Sequence, residues 1–163
     1  KTVKFIKEIS NMKSKSADHS RIDTAAVVLP EHITQLGIVH GGDLMKMMDN
    51  AAGIVAHRHC RHNTATVSVG KIVFKEQIQI GDVILCYGEL VYTGRTSMVV
   101  LVKLRKENLD TGEIKHVVHG YWVMVALDDN GIPTPVPQLI IESPEQQELF
   151  DEIKAKLIKK DER

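Results

Sequence analysis

The clearest reactive pattern in this sequence is a single acid in the middle of an apolar helix that two glycines open. The pair Gly41-Gly42 begins a predicted helix, and Asp49 lies two turns further along among methionines and alanines. An ionised carboxylate is costly to remove from water unless it has partners, so an acid at this position requires an explanation. Catalysis by the carboxylate, as a general base or as a nucleophile, is the leading one. The alternative is a structural Asp that binds loop amides or a second subunit.

The start of this helix could bind an oxygen that gains negative charge during a reaction. The first-turn N–H groups of a helix have no partners within the helix, and the helix dipole favours negative charge beside them. Gly41 and Gly42 have no Cβ to block a carbonyl, so the amides of Gly42 and Asp43 are predicted to donate to an oxyanion. The alternative is a tight turn without a ligand. His40, directly before the glycines, is predicted either to position a substrate or to form a structural hydrogen bond.

The spacing of these groups predicts that the site is shared between two chains. Asp49 lies seven residues beyond Gly42, which is about 10 Å along a helix axis. One reacting carbonyl cannot touch both groups of the same helix. If both act on it, they must come from two helices that run antiparallel about a twofold axis. We therefore expect a homodimer as the smallest active unit.

Length and composition favour one small globular domain with no preference for nucleic acid. The 163 residues fit a single core, and 21 basic against 21 acidic residues give a formal net charge of zero. No overall field would attract nucleic acid or an anionic membrane, so we expect neither as a partner. Two cysteines without a secretory leader predict free thiols and a cytoplasmic location. No apolar run approaches the ~20 residues of a membrane span.

The order of predicted elements is typical of an α+β fold with one sheet and one central helix. A strand over 21–29 is followed by a loop to His40 and by the helix over 41–59, whose apolar positions nearly encircle its axis. This pattern predicts a helix that is buried on most sides. Four further strands are predicted over 65–75, 82–93, 97–107 and 113–127, the last three as an antiparallel meander. Gly70 predicts a bulge.

The C-terminal region predicts an extended connector and a second helix. Three prolines between 133 and 137 exclude a central strand, and the capping pattern Ser143-Pro144-Glu145-Gln146 starts a last helix with one apolar stripe. We therefore divide the chain into an N-terminal arm (1–19), a main domain (20–133), and a proline-rich strap with a C-terminal helix (134–163).

Six motifs in this order resemble those of a known family. They are Pro30-Glu31-His32, Gly37-Ile38-Val39-His40-Gly41-Gly42, Met48-Asp49, Ala56-His57-Arg58-His59-Cys60, Thr93-Gly94-Arg95-Thr96-Ser97-Met98 and Val136-Pro137-Gln138-Leu139. Over residues 20–150 the chain resembles the hot-dog acyl-CoA thioesterases, in particular the cytosolic acyl-CoA thioester hydrolases. The resemblance implies an antiparallel sheet wrapped around one long helix, with an added C-terminal helix. It also implies hydrolysis of acyl-CoA to a carboxylic acid and coenzyme A. No metal or cofactor is expected, since coenzyme A is part of the substrate and product.

The resemblance also implies roles for individual residues and an assembly. Asp49, Gly42 and His40 would form the catalytic group, together with Thr34, where similar enzymes usually carry an Asn that positions water or substrate. Thr34 keeps a hydroxyl but lacks the reach of the amide. Similar enzymes have two equivalent sites per dimer and several form trimers of dimers, so a homohexamer is expected.

Coenzyme A carries three phosphates, so a neutral protein must gather basic groups to hold it. The predicted contacts are Arg58 and His59 at the helix end, Lys71 on the following strand, and the turn of Gly94, Arg95, Thr96 and Ser97. For the single charges, a solvated surface position is the alternative. Met45, Met47 and Met48 are predicted either to line an acyl groove or to fill the core.

Two other functions remain open from the sequence. A hot-dog hydratase or dehydratase would use a His near the helix start with an acid on the helix, a pattern that His40 and Asp49 partly match. A non-catalytic acyl-CoA sensor would explain Thr34. No metal site is predicted, because His57 and His59 point apart on a helix, and His116-x-x-His119 is expected to face opposite sides of a strand.

Overall fold

The computed structural model describes residues 12–161, with side chains for residues 12–157. The predicted N-terminal arm therefore lies largely outside the described residues. In chain order the elements are β1 Lys15–Ser16, β2 Ile22–Val27, α1 Gly41–Cys60, β3 Asn63–Val69, β4 Asp82–Thr93, β5 Ser97–Asn108, β6 Ile114–Leu127, β7 Leu139–Ile140 and α2 Pro144–Asp161. Short 3-10 turns cover Ala17–His19 and Pro30–His32.

Five strands form one antiparallel sheet in the order β2-β4-β5-β6-β3, which leaves β2 and β3 at its edges. The predicted meander of β4, β5 and β6 is confirmed, and the bounds of β4 are those predicted. Short polar turns and long β-branched runs are local signals, which explains this agreement. One long helix against an antiparallel sheet is the α+β layout that the sequence predicts.

Helix α1 is buried along one side and exposed along the other. The buried positions follow a spacing of three and four residues, which forms a single stripe on the inner face of the sheet; they are Leu44, Met48, Ala51, Ala52, Val55, Ala56, His59 and Cys60. All of them except His59 belong to one core cluster with the fully buried Trp122. Asp43, Asp49 and Asn50 on the opposite side are exposed. The prediction of a helix buried on most sides is wrong for the single chain, because the sheet covers only one side.

Helix α2 packs on the outer face of the same sheet. Its stripe of Leu149, Ile153 and Leu157 contacts a cluster that contains Val99 and Leu101 of β5. The predicted start of this helix is confirmed by its capping bonds. Ser143 Oγ accepts from the Gln146 N–H at 3.2 Å, and the Gln146 side chain accepts from the Glu142 N–H at 2.7 Å.

The strand predicted over 65–75 is shorter and shifted in the structure. Strand β3 ends at Val69, and its bulge falls between Thr66 and Ser68 rather than at Gly70. The Gly70 N–H still donates to the Tyr121 carbonyl at 2.9 Å, so Gly70 keeps a ladder position and Val67 is the extra residue. Pairing register, which depends on the neighbouring strand, decides the position of this bulge.

Residues 70–75 continue beside β6 after β3 has ended. The Lys75 N–H donates to the Val117 carbonyl at 2.8 Å. Ile72 lies over Gly120 of β6, where a Cβ would be 2.3 Å from Ile72 Cδ1. A larger residue at position 120 would therefore displace Ile72 from the core, which explains the glycine there.

Residues 133–137, the proline strap, are hydrogen-bonded to the end of β6 and to the turn between β4 and β5. The Thr134 N–H donates to Ala126 O at 2.9 Å, and the Val136 N–H donates to Arg95 O at 3.0 Å. Beyond the strap, β7 pairs in parallel with β1. Among residues 12–161, neither helix has the length and apolar character that crossing a membrane requires.

Candidate active site

Asp49 projects from the exposed side of α1 toward strand β3. The Thr66 hydroxyl donates to Asp49 Oδ1 at 2.8 Å. Within the part of the chain that the structure describes, the second carboxylate oxygen has no hydrogen-bond partner. One oxygen is therefore held in place, and the other is open to a ligand or a water molecule.

Thr66 is a candidate functional residue that the sequence analysis missed. It is seventeen residues from Asp49 and precedes the bulge of β3. Its side chain meets Asp49 only because β3 lies beside α1 in this register. Sequence alone carried no signal for this pair, since neither helix nor strand periodicity defines the contact between two elements.

His40 caps α1 and occupies the donors that were predicted to bind an oxyanion. His40 Nδ1 accepts from the Gly42 N–H at 2.9 Å, and His40 O accepts from the Asp43 N–H at 3.0 Å. A Cβ at residue 42 would lie 2.9 Å from the ring nitrogen, so this cap requires glycine. Both amides are hydrogen-bonded to His40 in this structure, and their role in binding an oxyanion stays a prediction. The Gly42 N–H becomes available when the His40 ring moves away.

The hydroxyl of Thr34 is used within its own turn. It donates to Ile38 O at 3.0 Å and accepts from the Leu36 N–H at 3.3 Å. Both hydrogen-bonding roles of the hydroxyl thus close the 34–38 loop that precedes His40. Thr34 shapes the loop at the helix start, and an amide at this position would have a donor and acceptor that extend further.

His59 is buried and does not face solvent, which corrects its prediction as a coenzyme A contact. Its side chain is 0% exposed, and Nε2 lies 2.8 Å from Pro137 O in the proline strap. The buried Nδ1 has no partner among the described residues. Desolvation lowers the pKa of His59, although the bond to the Pro137 carbonyl opposes this shift. His59 therefore joins α1 to the strap as a neutral ring.

Arg58 and Lys71 lie on opposite faces of the sheet. Arg58 and Met47 line a groove of about 440 Å³ between α1 and β2. Lys71 lines a different cavity, of about 340 Å³, between α2 and the outer face. The structure does not bring these two predicted contacts together within one chain. Of the predicted acyl-groove residues, Met48 is fully buried in the core, and Met45 shares the flank of Asp49 at a spacing of four.

The 94–97 turn lies at the same end of the sheet as Asp49. Thr66 pairs with Met124, and Met124 pairs with Met98, the residue after Ser97. Two strand spacings, about 10 Å, therefore separate Thr66 from Met98. Two hydrogen bonds hold the turn: Gln138 Nε2 donates to Gly94 O at 3.1 Å, and the Val136 N–H of the strap donates to Arg95 O. The Arg95 side chain is exposed, and Thr96 and Ser97 are half-buried.

The cysteines and the histidines outside this site offer neither a reactive thiolate nor a metal centre among the described residues. Both cysteines are buried thiols, and desolvation raises the pKa of Cys86 to about 11, which excludes a ready thiolate. Across residues 12–161, no group of three or more His, Cys, Asp or Glu could hold a metal ion. His116 and His119, however, share one face with ring nitrogens 3.1 Å apart, so the prediction that they face opposite sides is wrong.

Comparison with known protein families gives a consistent result. The family model described as the thioesterase superfamily matches residues 36–113. The cytosolic acyl coenzyme A thioester hydrolase of Rattus norvegicus is 33% identical over 156 residues, which are 94% of this chain and 41% of that protein. The chain thus spans less than half the length of this relative. An uncharacterised acyl-CoA thioester hydrolase of Bacillus subtilis is 35% identical over 127 residues, or 78% of this chain and 74% of that protein.

Solved structures share both fold and sequence with this chain. A hexameric acyl-CoA thioesterase superimposes with a TM-score of 0.87 at 32% identity, covering 93% of this chain and 97% of the other. The acyl-CoA hydrolase of Staphylococcus aureus, solved with butyryl coenzyme A and coenzyme A, gives a TM-score of 0.83 at 27% identity and covers 92% of both chains. Further structures of the S. aureus enzyme carry an alanine in place of an Asp, an Asn or a Thr.

Proposed function

This chain belongs to the thioesterase superfamily, among the acyl-CoA thioester hydrolases, and on that premise we propose that it hydrolyses acyl-CoA to a carboxylic acid and coenzyme A. The observation that carries the proposal is the Asp49 carboxylate, held by Thr66 at one oxygen and open at the other. This arrangement suits a general base or a nucleophile, because one oxygen fixes the orientation and the other reacts.

The spacing of varied residues in the S. aureus enzyme supports the assignment of Asp49. In that enzyme the replaced Asn precedes the replaced Asp by fifteen residues, and the replaced Thr follows it by seventeen. In this chain Thr34 and Thr66 stand at the same offsets from Asp49. We therefore assign Thr66 the role of positioning Asp49, and Thr34 marks the position where this chain differs.

The proposed reaction uses the open oxygen of Asp49 and the start of α1. In the general-base route, Asp49 takes a proton from water while the water oxygen attacks the thioester carbon, and coenzyme A leaves as a thiolate that is then protonated. In the nucleophilic route, Asp49 attacks the carbon and water opens the resulting mixed anhydride. In both, the carbonyl oxygen gains charge beside the Gly42 N–H, which His40 releases when substrate binds.

The separation of Gly42 and Asp49 within α1 supports a site that is shared between two copies. Gly42 and Asp49 belong to one continuous helix, and about 10 Å along its axis separates them. We propose that Asp49 of one chain meets the helix start of its neighbour. Strand β3 supports this arrangement, because it is an edge strand on which Val67 is 63% exposed. A trimer of such dimers would match the hexameric form of one similar thioesterase.

Coenzyme A would bind near the 94–97 turn in this arrangement. The turn lies at the Asp49 end of the sheet and presents the Arg95 side chain at the surface. Arg58 remains a second candidate contact, whereas Lys71 could reach the same ligand only from a neighbouring chain, because it lies on the opposite face. The acyl chain would pass Met45, which shares the flank of Asp49.

A second candidate function is an acyl-CoA sensor without turnover. The observation that favours it is Thr34, whose hydroxyl donates its proton inside the 34–38 loop and therefore cannot donate to a water molecule or a substrate. A hydratase or dehydratase has less support, since the His40 ring caps α1 through Nδ1 rather than standing free as an acid or base.

Thiol release from a panel of acyl-CoA chain lengths tests the proposal. We expect turnover by the wild type and a loss of about 10²- to 10⁴-fold in Asp49→Asn, the usual contribution of a general base. Asp151→Asn is the matched control, since Asp151 is an exposed acid on the outer helix α2. Turnover that survives unchanged in Asp49→Asn would overturn the assignment. Tight coenzyme A binding without wild-type turnover would establish the sensor instead.

A further inference from the structure

Three consecutive carbonyl oxygens of the 94–97 turn accept hydrogen bonds from other parts of the chain. The donors belong to β6, to the proline strap and to the residue after the strap; the bonds are Ala126 N–H to Thr96 O at 3.0 Å, Val136 N–H to Arg95 O at 3.0 Å, and Gln138 Nε2 to Gly94 O at 3.1 Å. Two of these donors are backbone groups. The third is a side chain, so the orientation of the Gly94 carbonyl depends on the residue type at position 138.

These bonds decide which backbone groups the turn presents to a ligand. In a planar trans peptide, the carbonyl oxygen and the following N–H point in opposite directions. Because the carbonyls of Gly94 and Arg95 are directed at their donors, the N–H groups of Arg95 and Thr96 are directed away from them. The Thr96 N–H has no acceptor among the described residues. Successive N–H groups that face one way attract anions, so this side of the turn suits a phosphate.

The backbone on both sides of the Gln138 side chain is anchored. Gln138 O accepts from the Lys15 N–H at 3.0 Å, and the N–H of the next residue, Leu139, donates to Thr93 Oγ1 at 3.0 Å. Thr93 is 3% exposed and is the last residue of β4, directly before the turn. The Gln138 side chain therefore reaches Gly94 from a defined position, and the Thr93 hydroxyl is part of what defines it.

We propose that Gln138 and Thr93 are positioning residues for coenzyme A, which act through the 94–97 turn rather than by touching the substrate. This inference rests on the proposed function and adds two residues to it. Gln138 holds the Gly94 carbonyl away from the phosphates of coenzyme A. Thr93 holds the backbone that carries Gln138. Neither residue contacts the Asp49 carboxylate, which Thr66 holds on the other side of β5 and β6.

The exposure of Gln138 separates an effect on binding from an effect on folding. The side chain is exposed, so its replacement removes a donor without leaving a cavity in the core. Water can replace that donor, and the loss for overall stability is therefore small. A Gly94 carbonyl that bonds water is no longer held toward residue 138, and its peptide can rotate so that the oxygen faces the anion. The result is weaker binding of substrate.

The inference also specifies the part of the substrate that is affected. An acyl-pantetheine carries the same thioester as acyl-CoA but lacks the nucleotide and its phosphates. Loss of a contact that exists both before and in the transition state raises KM and leaves kcat unchanged. We therefore expect changes at Gln138 to raise KM for acyl-CoA alone, because the truncated substrate has no phosphate for the turn to hold.

Steady-state kinetics of Gln138→Met with acyl-CoA and with the matching acyl-pantetheine test this inference. Met keeps the length of the side chain and removes its donor. We expect KM for acyl-CoA to rise about two- to tenfold, the usual range for one hydrogen bond, with kcat and the KM of acyl-pantetheine unchanged. Gln147→Met is the matched control, because the Gln147 side chain bonds Asp151 within α2.

A pair of variants at Thr93 gives a second test of the same role. Thr93→Val keeps the β-branched shape but removes the acceptor of the Leu139 N–H, so it should raise KM for acyl-CoA in the same selective way. Thr93→Ser keeps the hydroxyl and should retain the wild-type KM. Circular dichroism checks the fold of each variant, and the exposed Gln138 keeps the test decisive if Thr93→Val fails to fold.

Three outcomes would count against the inference. Wild-type turnover with equal KM values in Gln138→Met and Gln147→Met would overturn it and leave the proposed function intact. A parallel rise in KM for acyl-CoA and acyl-pantetheine would also overturn it, because the phosphates would then play no part in the effect. Absence of wild-type turnover with every acyl-CoA would overturn the proposed function, and this inference with it.

Discussion

At the scale of single residues, Asp49 depends for its orientation on a hydroxyl from a different element. The Thr66 hydroxyl at 2.8 Å fixes one carboxylate oxygen, and the exposed position leaves the other accessible. A hydrogen bond to a charged group contributes about 1.5–3 kcal/mol, which corresponds to roughly a tenfold to hundredfold change in rate if it is lost in the transition state.

Replacing Thr66 with Val should therefore lower kcat about tenfold or more while KM changes little. The Val side chain keeps the β-branched shape but cannot donate to Asp49. Steady-state kinetics with one acyl-CoA substrate would measure this separation of kcat from KM. Thr64→Val in the same strand is the matched control, because the Thr64 hydroxyl makes no hydrogen bond among the described residues. Equal losses in both variants would show that Thr66 acts only through strand stability.

At the start of α1, the sequence could predict the first helical residue but not the side chain that caps the helix. The glycine pair predicted the first residue of α1 correctly, because helix starts carry local signals. The cap formed by the His40 ring was not specified, since a bond to the Gly42 amide depends on the rotamer of His40. The prediction of Asp49 as the reactive acid remains a proposal, and its basis has changed from burial to the contact with Thr66.

At the scale of elements, His59 connects α1 to the proline strap. Its Nε2 bonds the Pro137 carbonyl, and the Lys15 ammonium bonds the His59 carbonyl at 2.6 Å. Three segments that are distant in the sequence therefore meet at the end of α1. Because desolvation lowers the pKa of His59, protonation of the ring destabilises this junction.

Unfolding experiments should show stability falling as the pH is lowered below about 6.5, the ordinary pKa of histidine. In that range the unfolded chain binds a proton at residue 59 that the folded protein does not, so the free energy of unfolding rises with pH. His59→Gln, which can still donate to Pro137, should reduce this slope by up to about 1.4 kcal/mol for each pH unit. Urea titrations at several pH values would measure it.

The control for this prediction is His116→Gln. The pKa of His116 is also lowered, so this variant removes a contribution of the same sign from the outer face. Comparing the two slopes separates the contribution of the buried junction from that of the histidine pair on the outer face. An unchanged slope in His59→Gln would contradict the role assigned to the buried ring.

The sequence predicted elements well where local signals define their bounds. It predicted them poorly where pairing with a neighbouring strand decides the position of a bulge or the face on which a side chain lies. Strands β4 to β6 and helix α2 follow from turns, caps and apolar runs. The bulge at Val67 and the bulge at Val117 depend on register with a neighbouring strand. The second of these is why the sequence pattern placed His116 and His119 on opposite sides, although the folded chain brings them together.

At the scale of the whole molecule, the exposed side of α1 and the edge strand β3 are the surfaces that a second copy would cover. A shared site predicts complementation between two inactive variants, Asp49→Ala and Gly42→Val. In a heterodimer one site carries both substitutions and the other carries neither, so about half of the wild-type activity per dimer should return.

Co-expression with two affinity tags and tandem purification would give these heterodimers for kinetic assay. Heterodimers that combine Asp49→Ala with the wild type are the control, since they also keep one intact site. Absence of any restored activity, with dimers verified by light scattering, would place both groups in one chain. The cytoplasmic location, the division at residues 19 and 133, and the lack of nucleic-acid or membrane partners stay predictions.

The sequence predicted the family and architecture because the motifs around the helix and turns are distinctive. It did not predict how the coenzyme A candidates are distributed in space. Arg58 and Lys71 were grouped by their proximity in the sequence, yet the sheet lies between them. His59 was grouped with Arg58 because the two are adjacent in the sequence. Adjacent residues on a helix point in different directions, however, and the His59 side chain lies in the core.

The segment between β3 and β4 gives the molecule a short covalent route from one face to the other. Phe74 lies against the first residue of α1, where a Cβ on Gly41 would be 3.7 Å from its ring. Its immediate neighbour, Lys75, is held beside β6 by its backbone bond to Val117, and Ile72 anchors the same stretch over Gly120. Adjacent residues of one backbone cannot shift independently, so any displacement of this segment from β6 would also move the aromatic ring that lies against the start of α1.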